Sequence, residues 1–277
     1  LIYNEEPGQG ASMKQLLSYF GEVWDQPECK AFDDKGLARK NASVERADKE
    51  LKSIYDSMQK THPDWFDTID YCKKTDPVNH IQLVSNPTTA YAKEPVVFYT
   101  ITRLMQSAKE EVTFHTPYII CNKWMLDELA EVSSMVPKVS MMTNSIANNG
   151  NPFGAMDYKD NKDKILDTGV QVLEYDGGVS YHGKCFTIDD NLSAIGSFNW
   201  DMRSTYIDTE LMLVIDSEAV NQKLRAAMSE YESKALIVVD QDDYIIPDGM
   251  VPQTISKKRN ARIRLLQLFG KPARFLM

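Results

Sequence analysis

Residues Tyr181–Asn199 read YHGKCFTIDDNLSAIGSFN, an H-x-K-x4-D-x6-G-S-x-N string with every specified residue at its fixed spacing. A string this specific seldom arises by accident, unlike most short motifs. YHGKCFTID has the composition of a β-strand, and in a strand residues two apart share a face. His182 and Lys184 are therefore expected to point the same way, with Gly183 and Cys185 on the opposite face. SAIGSFN reads as a second short extended run ending at Gly196, where a backbone without a side chain admits close approach by a ligand. Ser197 and Asn199 follow, again two apart.

An ammonium, a hydroxyl and a carboxamide beside an imidazole make an anion cradle. Such donors stabilise charge that builds on phosphoryl oxygens, and positioning plus electrostatics supply most of the catalysis of phosphoryl transfer. A phosphodiester needs a nucleophile active at neutral pH, and a neutral imidazole nitrogen is one of the few available. Such a ring needs its second nitrogen held. Glu210, in the following apolar strand DTELMLVI, is placed by sequence order to hold it. Asp189 stands at the end of its strand beside Asp190 and Asn191, where aspartate commonly caps a turn. It reads as structural first and catalytic second. A lone histidine beside an apolar strand is usually a packing residue; the company of Lys184, Ser197 and Asn199 is what moves His182 into the chemistry.

The string resembles the HKD motif of the phospholipase D superfamily, enzymes that break or exchange phosphodiester bonds through a histidine nucleophile. WDMRSTYIDTELMLVI then looks like that family's continuation D-x-R-S-x-x-x-N-x-E, with Asp208 where asparagine would be expected. Upstream, EEVTFHTPYIICNKWMLDELAE, VSMMTNSIANNGNPFGAMDY and ILDTGVQVLEYDGGVSYHGK resemble segments of its bacterial members. SMKQLLSYFGEVWDQPECKAF looks like a helix of the cardiolipin synthase branch, and the likeness covers most of residues 10 to 240. It implies an α/β layered fold of the phospholipase D/nuclease type, a mainly mixed sheet flanked by helices, with an N-terminal helical segment. It also implies a phosphohistidine intermediate and roles for His182, Lys184, Ser197, Asn199, Glu210 and, secondarily, Asp189.

Superfamily enzymes use two such motifs, one giving the nucleophile and the other a general acid. The other histidines, His62, His80 and His115, lack a lysine two residues on. The opening LIYNEEPGQG reads as the tail of a preceding strand and its loop. The chain is thus expected to be the C-terminal part of a two-motif protein, with one half-site. The alternative is a one-motif chain that completes its site across a twofold dimer. The division expected is 1–77 as the end of a preceding lobe and a helical connector, 78–240 as the catalytic lobe, and 241–277 as a basic amphipathic extension.

The 43% hydrophobic and 26% charged composition is that of a globular protein. No run approaches the ~18 apolar residues a membrane-spanning helix needs. The net charge of −9 argues against nucleic acid as a partner. Cys29, Cys72, Cys121 and Cys185 form no metal-ligand spacing and read as free buried thiols, Cys185 as a packing residue. No motif calls for a metal, nucleotide or other cofactor.

Residues 11 to 25 and 42 to 60 read as amphipathic helices, the second a packing element carrying Leu51, Ile54, Tyr55 and Met58. From residue 81 onward short apolar strands alternate with helices, which indicates an α/β fold. SKKRNARIRLLQLFGKPARFLM leaves two readings open: a basic helix lying on an anionic bilayer, or a terminal helix packed on the domain with its basic face in water. The function expected is phosphatidyl transfer or hydrolysis on a phospholipid such as phosphatidylglycerol, at a membrane that the protein contacts peripherally. A metal-independent nuclease of the same chemistry and a lobe that only binds phosphate ligands are the alternatives.

Overall fold

The computed structural model of the chain describes residues 10–30, 42–269 and 274, and it divides into two compact units, Leu1–Asp76 and Pro77–Met277. In the first unit α1 (Ala11–Trp24) stacks Phe20 on Trp24, the one-turn spacing at which helical side chains meet. Helix α2 (Ala42–Thr61) carries the expected apolar stripe, yet Leu51, Ile54 and Tyr55 stay exposed rather than packed. Tyr55 meets the edge of Phe66, from a 3-10 turn at Pro63–Phe66. Helix α3 (Tyr71–Lys74) starts where the Asp70 carboxylate accepts from Lys73 N.

The second unit runs β1 (His80–Ser85), α4 (Val96–Gln106), β2 (Glu111–His115), β3 (Ile119–Ile120), α5 (Lys123–Met135), β4 (Lys138–Asn144), α6 (Pro152–Leu166) and β5 (Gln171–Tyr175). It continues with β6 (Cys185–Ile188), β7 (Leu192–Gly196), β8 (Trp200–Asp201), α7 (Met202–Tyr206), β9 (Leu211–Asp216), α8 (Glu218–Glu232), β10 (Ala235–Val238), β11 (Tyr244–Ile245) and α9 (Lys257–Phe269). Helix starts follow the sequence. Asn122, Asn151 and Ser217 accept from the first-turn amides of α5, α6 and α8, and Pro152 occupies a first-turn position where no amide is needed.

Among the described residues nine strands form one mixed sheet in the order β1-β9-β7-β6-β2-β4-β5-β10-β11. Strands β2, β4 and β5 are parallel, and the remaining pairings are antiparallel. Alternation decides which helices cover which face. Val112, Phe114, Met141, Phe186 and Ile188 point into the main core with α4 and α5, where Phe114 stacks on Phe186 and Trp200 is fully buried. His115, Met142, Tyr175 and Cys185 lie on the opposite face beneath α8. The expected α/β layering with a mixed sheet and flanking helices is the architecture observed.

Two sequence expectations are corrected. The strand does not include His182 or Lys184; it begins at Cys185. The reason lies at Tyr181, whose amide donates to Asn144 Oδ1 (2.8 Å) and whose carbonyl accepts from Asn144 Nδ2 (2.8 Å). A side chain at the end of β4 thus takes the backbone groups that a neighbouring strand would have bonded. The second correction concerns the thiols: Cys121 and Cys185 are buried, but Cys29 and Cys72 are exposed.

At the far end of β6, Asp189 adopts a positive φ of 48° in the hairpin to β7, a conformation aspartate tolerates better than most residues. Its carboxylate accepts from the amides of Lys109, Glu110 and Glu111, and these hold its pKa down against burial. It fastens the hairpin to the start of β2, at the opposite end of the strand from His182.

The C-terminal helix α9 packs on α6 through Ile263, 1% exposed, against Ala155 and Met156. Arg274 pairs with Asp157 of α6. The helix is thus packed on the domain by one face, and its basic residues Lys257, Lys258, Arg262 and Arg264 are exposed on the other.

Candidate functional site

The start of β6, the end of β7 and the start of β9 lie at one end of the sheet, which is also the carboxyl end of the parallel strands β2, β4 and β5. Open α/β sheets place their ligand crevices at this end. The motif residues collect there because the antiparallel hairpin brings Cys185 opposite Ile195 and β9 brings Met212 opposite Gly196.

His182 is exposed, and its Nδ1 lies 3.1 Å from Lys184 Nζ, which also donates to the His182 carbonyl. The two side chains share one side, as expected, though from a loop rather than from strand alternation. Burial, then the Lys184 charge, pushes the His182 pKa below its usual 6.5, so the ring is neutral at pH 7. Burial also lowers the Lys184 pKa, against the attraction of Glu210 and Asp201.

Glu210 does not hold the imidazole. Its buried carboxylate accepts from Ser197 Oγ on one oxygen and from Ser204 Oγ (2.6 Å) on the other. Ser204 Oγ in turn accepts from Asn199 Nδ2 (3.1 Å). Ser197, Asn199 and Glu210 are thus one hydrogen-bonded cluster, with Lys184 coupled to it electrostatically. Burial raises the Glu210 pKa while Ser197 and Ser204 restrain it. Asn199 Oδ1 is buried with no hydrogen-bond partner among the described residues. Gly196 is corrected too: its bare side faces the backbone of β9 rather than a ligand space. A Cβ there would press into the Leu211 carbonyl oxygen and come within 2.8 Å of Met212 Cα.

Several site residues were not legible in the motif. Asp201 is buried, caps α7 through Ser204 N (2.6 Å), and lies close enough to act on the Lys184 charge. Asn144, Tyr181 and His115 set the loop that presents His182. His115 is fully buried and bridges Tyr181 OH (2.9 Å) to Glu232 (3.0 Å). Gly183 has no side chain because a Cβ would sit 2.5 Å from Tyr181 Cζ. Asp208, the departure from the family string, pairs with Arg203 through both carboxylate oxygens at 3.0 Å. Only the likeness of VSMMTNSIANNGNPFGAMDY to a family segment had offered a signal for Asn144.

Asp201 gives a stability prediction. Burial and the Glu210 charge raise its pKa to about 6, against the Ser204 amide. A carboxyl with a raised folded-state pKa favours folding below its unfolded value and loses that contribution as pH rises through the folded one. Asp201→Asn keeps the acceptor for Ser204 N and removes the buried charge. The variant is expected to be more stable than the wild type by ~1–3 kcal/mol at pH 7.5, with no gain at pH 4. Urea unfolding at the two pH values measures this, and equal gains at both would refute it.

Comparison with known proteins bears on what this site is. Residues 101–231 match the family described as cardiolipin synthase, PLD-like domain. Cardiolipin synthase C of Escherichia coli K12 is 28% identical over 157 residues, covering 50% of this chain and 33% of that protein. Cardiolipin synthase 1 of Staphylococcus epidermidis is 30% identical over 132 residues, covering 48% of this chain and 26% of that protein. The matched segment therefore spans a third or less of these relatives' own length. Among solved structures, phosphatidylserine synthase of Haemophilus influenzae Rd KW20 superposes with a TM-score of 0.53 at 14% identity, over 71% of this chain and 48% of that one, a likeness of fold.

Proposed function

We propose, from the match of residues 101–231 to the cardiolipin synthase, PLD-like domain family, that this chain is of the phospholipase D superfamily and supplies one half-site of a phosphatidyl-transferring enzyme of the cardiolipin synthase type. His182 is the nucleophile. Its imidazole nitrogen attacks the phosphorus of a phospholipid such as phosphatidylglycerol, the P–O bond to the headgroup breaks, and a phosphohistidine forms. An acceptor alcohol then takes the phosphatidyl group and frees the ring. Two displacements replace one harder one. The general acid that protonates the departing alkoxide comes from a lobe outside this chain or from a second copy of it. Among the other described histidines, His115 is committed to Tyr181 and Glu232, and His80 pairs with Asp216 at the opposite end of the sheet.

The observation that carries this reading is the His182 ring with the Lys184 ammonium 3.1 Å from its Nδ1, where burial and that charge together hold the ring's pKa down. A neutral imidazole suits a nucleophile better than an acid. As the phosphate enters, Lys184 turns from Nδ1 to a phosphoryl oxygen, freeing the ring, and Asn199 Nδ2 donates to the same group. Ser197, Ser204 and Glu210 position that cradle, and Asp189 belongs to the scaffold. Among the described residues no helix is long and apolar enough to cross a membrane, which is compatible with peripheral contact.

The test is to supply phosphatidylglycerol to the protein that completes the site and to follow cardiolipin and glycerol. Phosphatidic acid as the sole product would mark a hydrolase instead. The acid limb of kcat/KM should fall below pH 6.5. Lys184→Gln should move that limb upward and lower kcat by ~100-fold or more. A His182-dependent limb on the alkaline side would assign the general-acid role and refute the nucleophile.

A further inference from the structure

Helix α9 has two faces of different character. Its inward face carries Ile263 against α6, Gln267 donating to Asp160, and Arg259 donating to the Asn149 carbonyl. Its outward face holds Ala261 and Leu265, the latter 57% exposed, flanked by Lys257 and Arg264 on one side and Lys258 and Arg262 on the other. None of these four cations has an ion-pair partner among the described residues, on a chain whose net charge is −9. The segment leading into the helix exposes Val251 and Ile255 as well.

The helix is also tied to the site. Asn149, whose carbonyl accepts from Arg259, adjoins Gly150, whose amide donates to Ser180 Oγ at 3.0 Å. Ser180 lies two residues before His182. Upstream of α9, Gln253 N donates to Asp176 Oδ2 (2.6 Å) and Gln253 Nε2 to the Asp176 carbonyl (2.8 Å), at the start of that same loop.

Resting on the phospholipid reading of the site, we propose that the outward face of α9 is a docking surface for an anionic bilayer, which holds the His182 loop against the lipid that it acts on. An apolar stripe between two cationic rows is the pattern that lies in a headgroup layer, with the cations drawn to the anionic surface. The inward face holds the helix to the domain through Ile263 and Leu266, with Arg259 and Gln267 at its edges, and uses none of the four outward cations. The negative remainder of the molecule is repelled by the same surface, so the basic face sets the orientation of approach.

Sedimentation with vesicles tests this, using phosphatidylglycerol mixed with phosphatidylcholine against phosphatidylcholine alone, for the wild-type chain and for Lys257→Gln/Lys258→Gln/Arg262→Gln/Arg264→Gln. The wild type should bind the anionic vesicles and release as salt rises. The variant, its fold checked by circular dichroism, should partition at least ~30-fold weaker, which is the loss of only two of the four cations at about fivefold each. Equal binding of wild type and variant, binding that ignores the anionic lipid, or wild-type binding to duplex DNA without vesicle binding would each overturn the proposal. Turnover of phosphatidylglycerol in detergent micelles by the completed enzyme separates the two readings. Retained micellar turnover in the variant supports the surface. Charge-dependent vesicle binding without any micellar turnover keeps the surface and discards the proposed chemistry.

Discussion

His182→Ala, in the protein that completes the site, is expected to lower kcat by ~10⁴-fold or more, the scale seen when a nucleophile is removed from a covalent mechanism. Stability should hardly change. The ring is exposed, and its recorded contact is with the Lys184 ammonium, so its loss opens no cavity and orphans no buried donor. Turnover of phosphatidylglycerol and thermal melts on the same preparation check both halves. Turnover within tenfold of wild type would end the assignment of His182. A large drop in melting temperature would instead make it a structural residue. The contrast with Asn144 is instructive, because that buried amide bonds two backbone groups and its replacement would disturb the loop itself.

Gly196→Ala is expected to be the most damaging of the conservative changes to the fold. The added methyl has nowhere to go: Leu211 O, Met212 Sδ (2.6 Å) and Met212 Cα (2.8 Å) stand in its place, and two of these belong to the paired backbone of β9. A flexible side-chain tip can yield, but a hydrogen-bonded strand in mid-sheet cannot do so without losing register. The destabilisation should reach ~3 kcal/mol, and for a unit of this size each kcal/mol lowers the melting temperature by about 2–4 °C. Thermal melts of the variant measure it. A shift of under 2 °C would show that β9 moves aside freely and that the close approach is not required. Because Ser197 follows directly and its Oγ accepts from Leu211 N at 3.0 Å, activity should fall along with stability.

How much of this was readable from residues alone depends on how local the determining contact is. The pairing of His182 with Lys184 spans two residues, and the motif spacing announces it. The hairpin at Asp189 spans adjacent strands, and an aspartate at a strand end signals it. Helices α1 and α2 follow from apolar spacing within one segment. What escaped rests on contacts between distant segments. Asn144 reaches 37 residues ahead to Tyr181, and His115 reaches 117 residues to Glu232. Nothing near His115 points to Glu232, and the stretch around Asn144 resembles a family segment without pointing to Tyr181. Glu210 shows the other failure. Sequence order placed a carboxylate after the motif and suggested the histidine as its partner, but two serine hydroxyls, Ser197 and Ser204, were nearer in space. The stripe on α2 is a third case. Periodicity reveals which residues share a face, and it says nothing of whether another surface covers them.

The loop that carries His182 is joined to the sheet by a side-chain amide on one flank and by the first residue of β6 on the other. The ladder of main-chain pairing ends one step short of the chemistry. Residues Asp176 to Val179 are held by side chains of other segments, with Ser145 and Gln253 on Asp176 and Asn148 on Gly178 and Val179. Exchanging one of those side chains would re-aim the imidazole while every strand keeps its register.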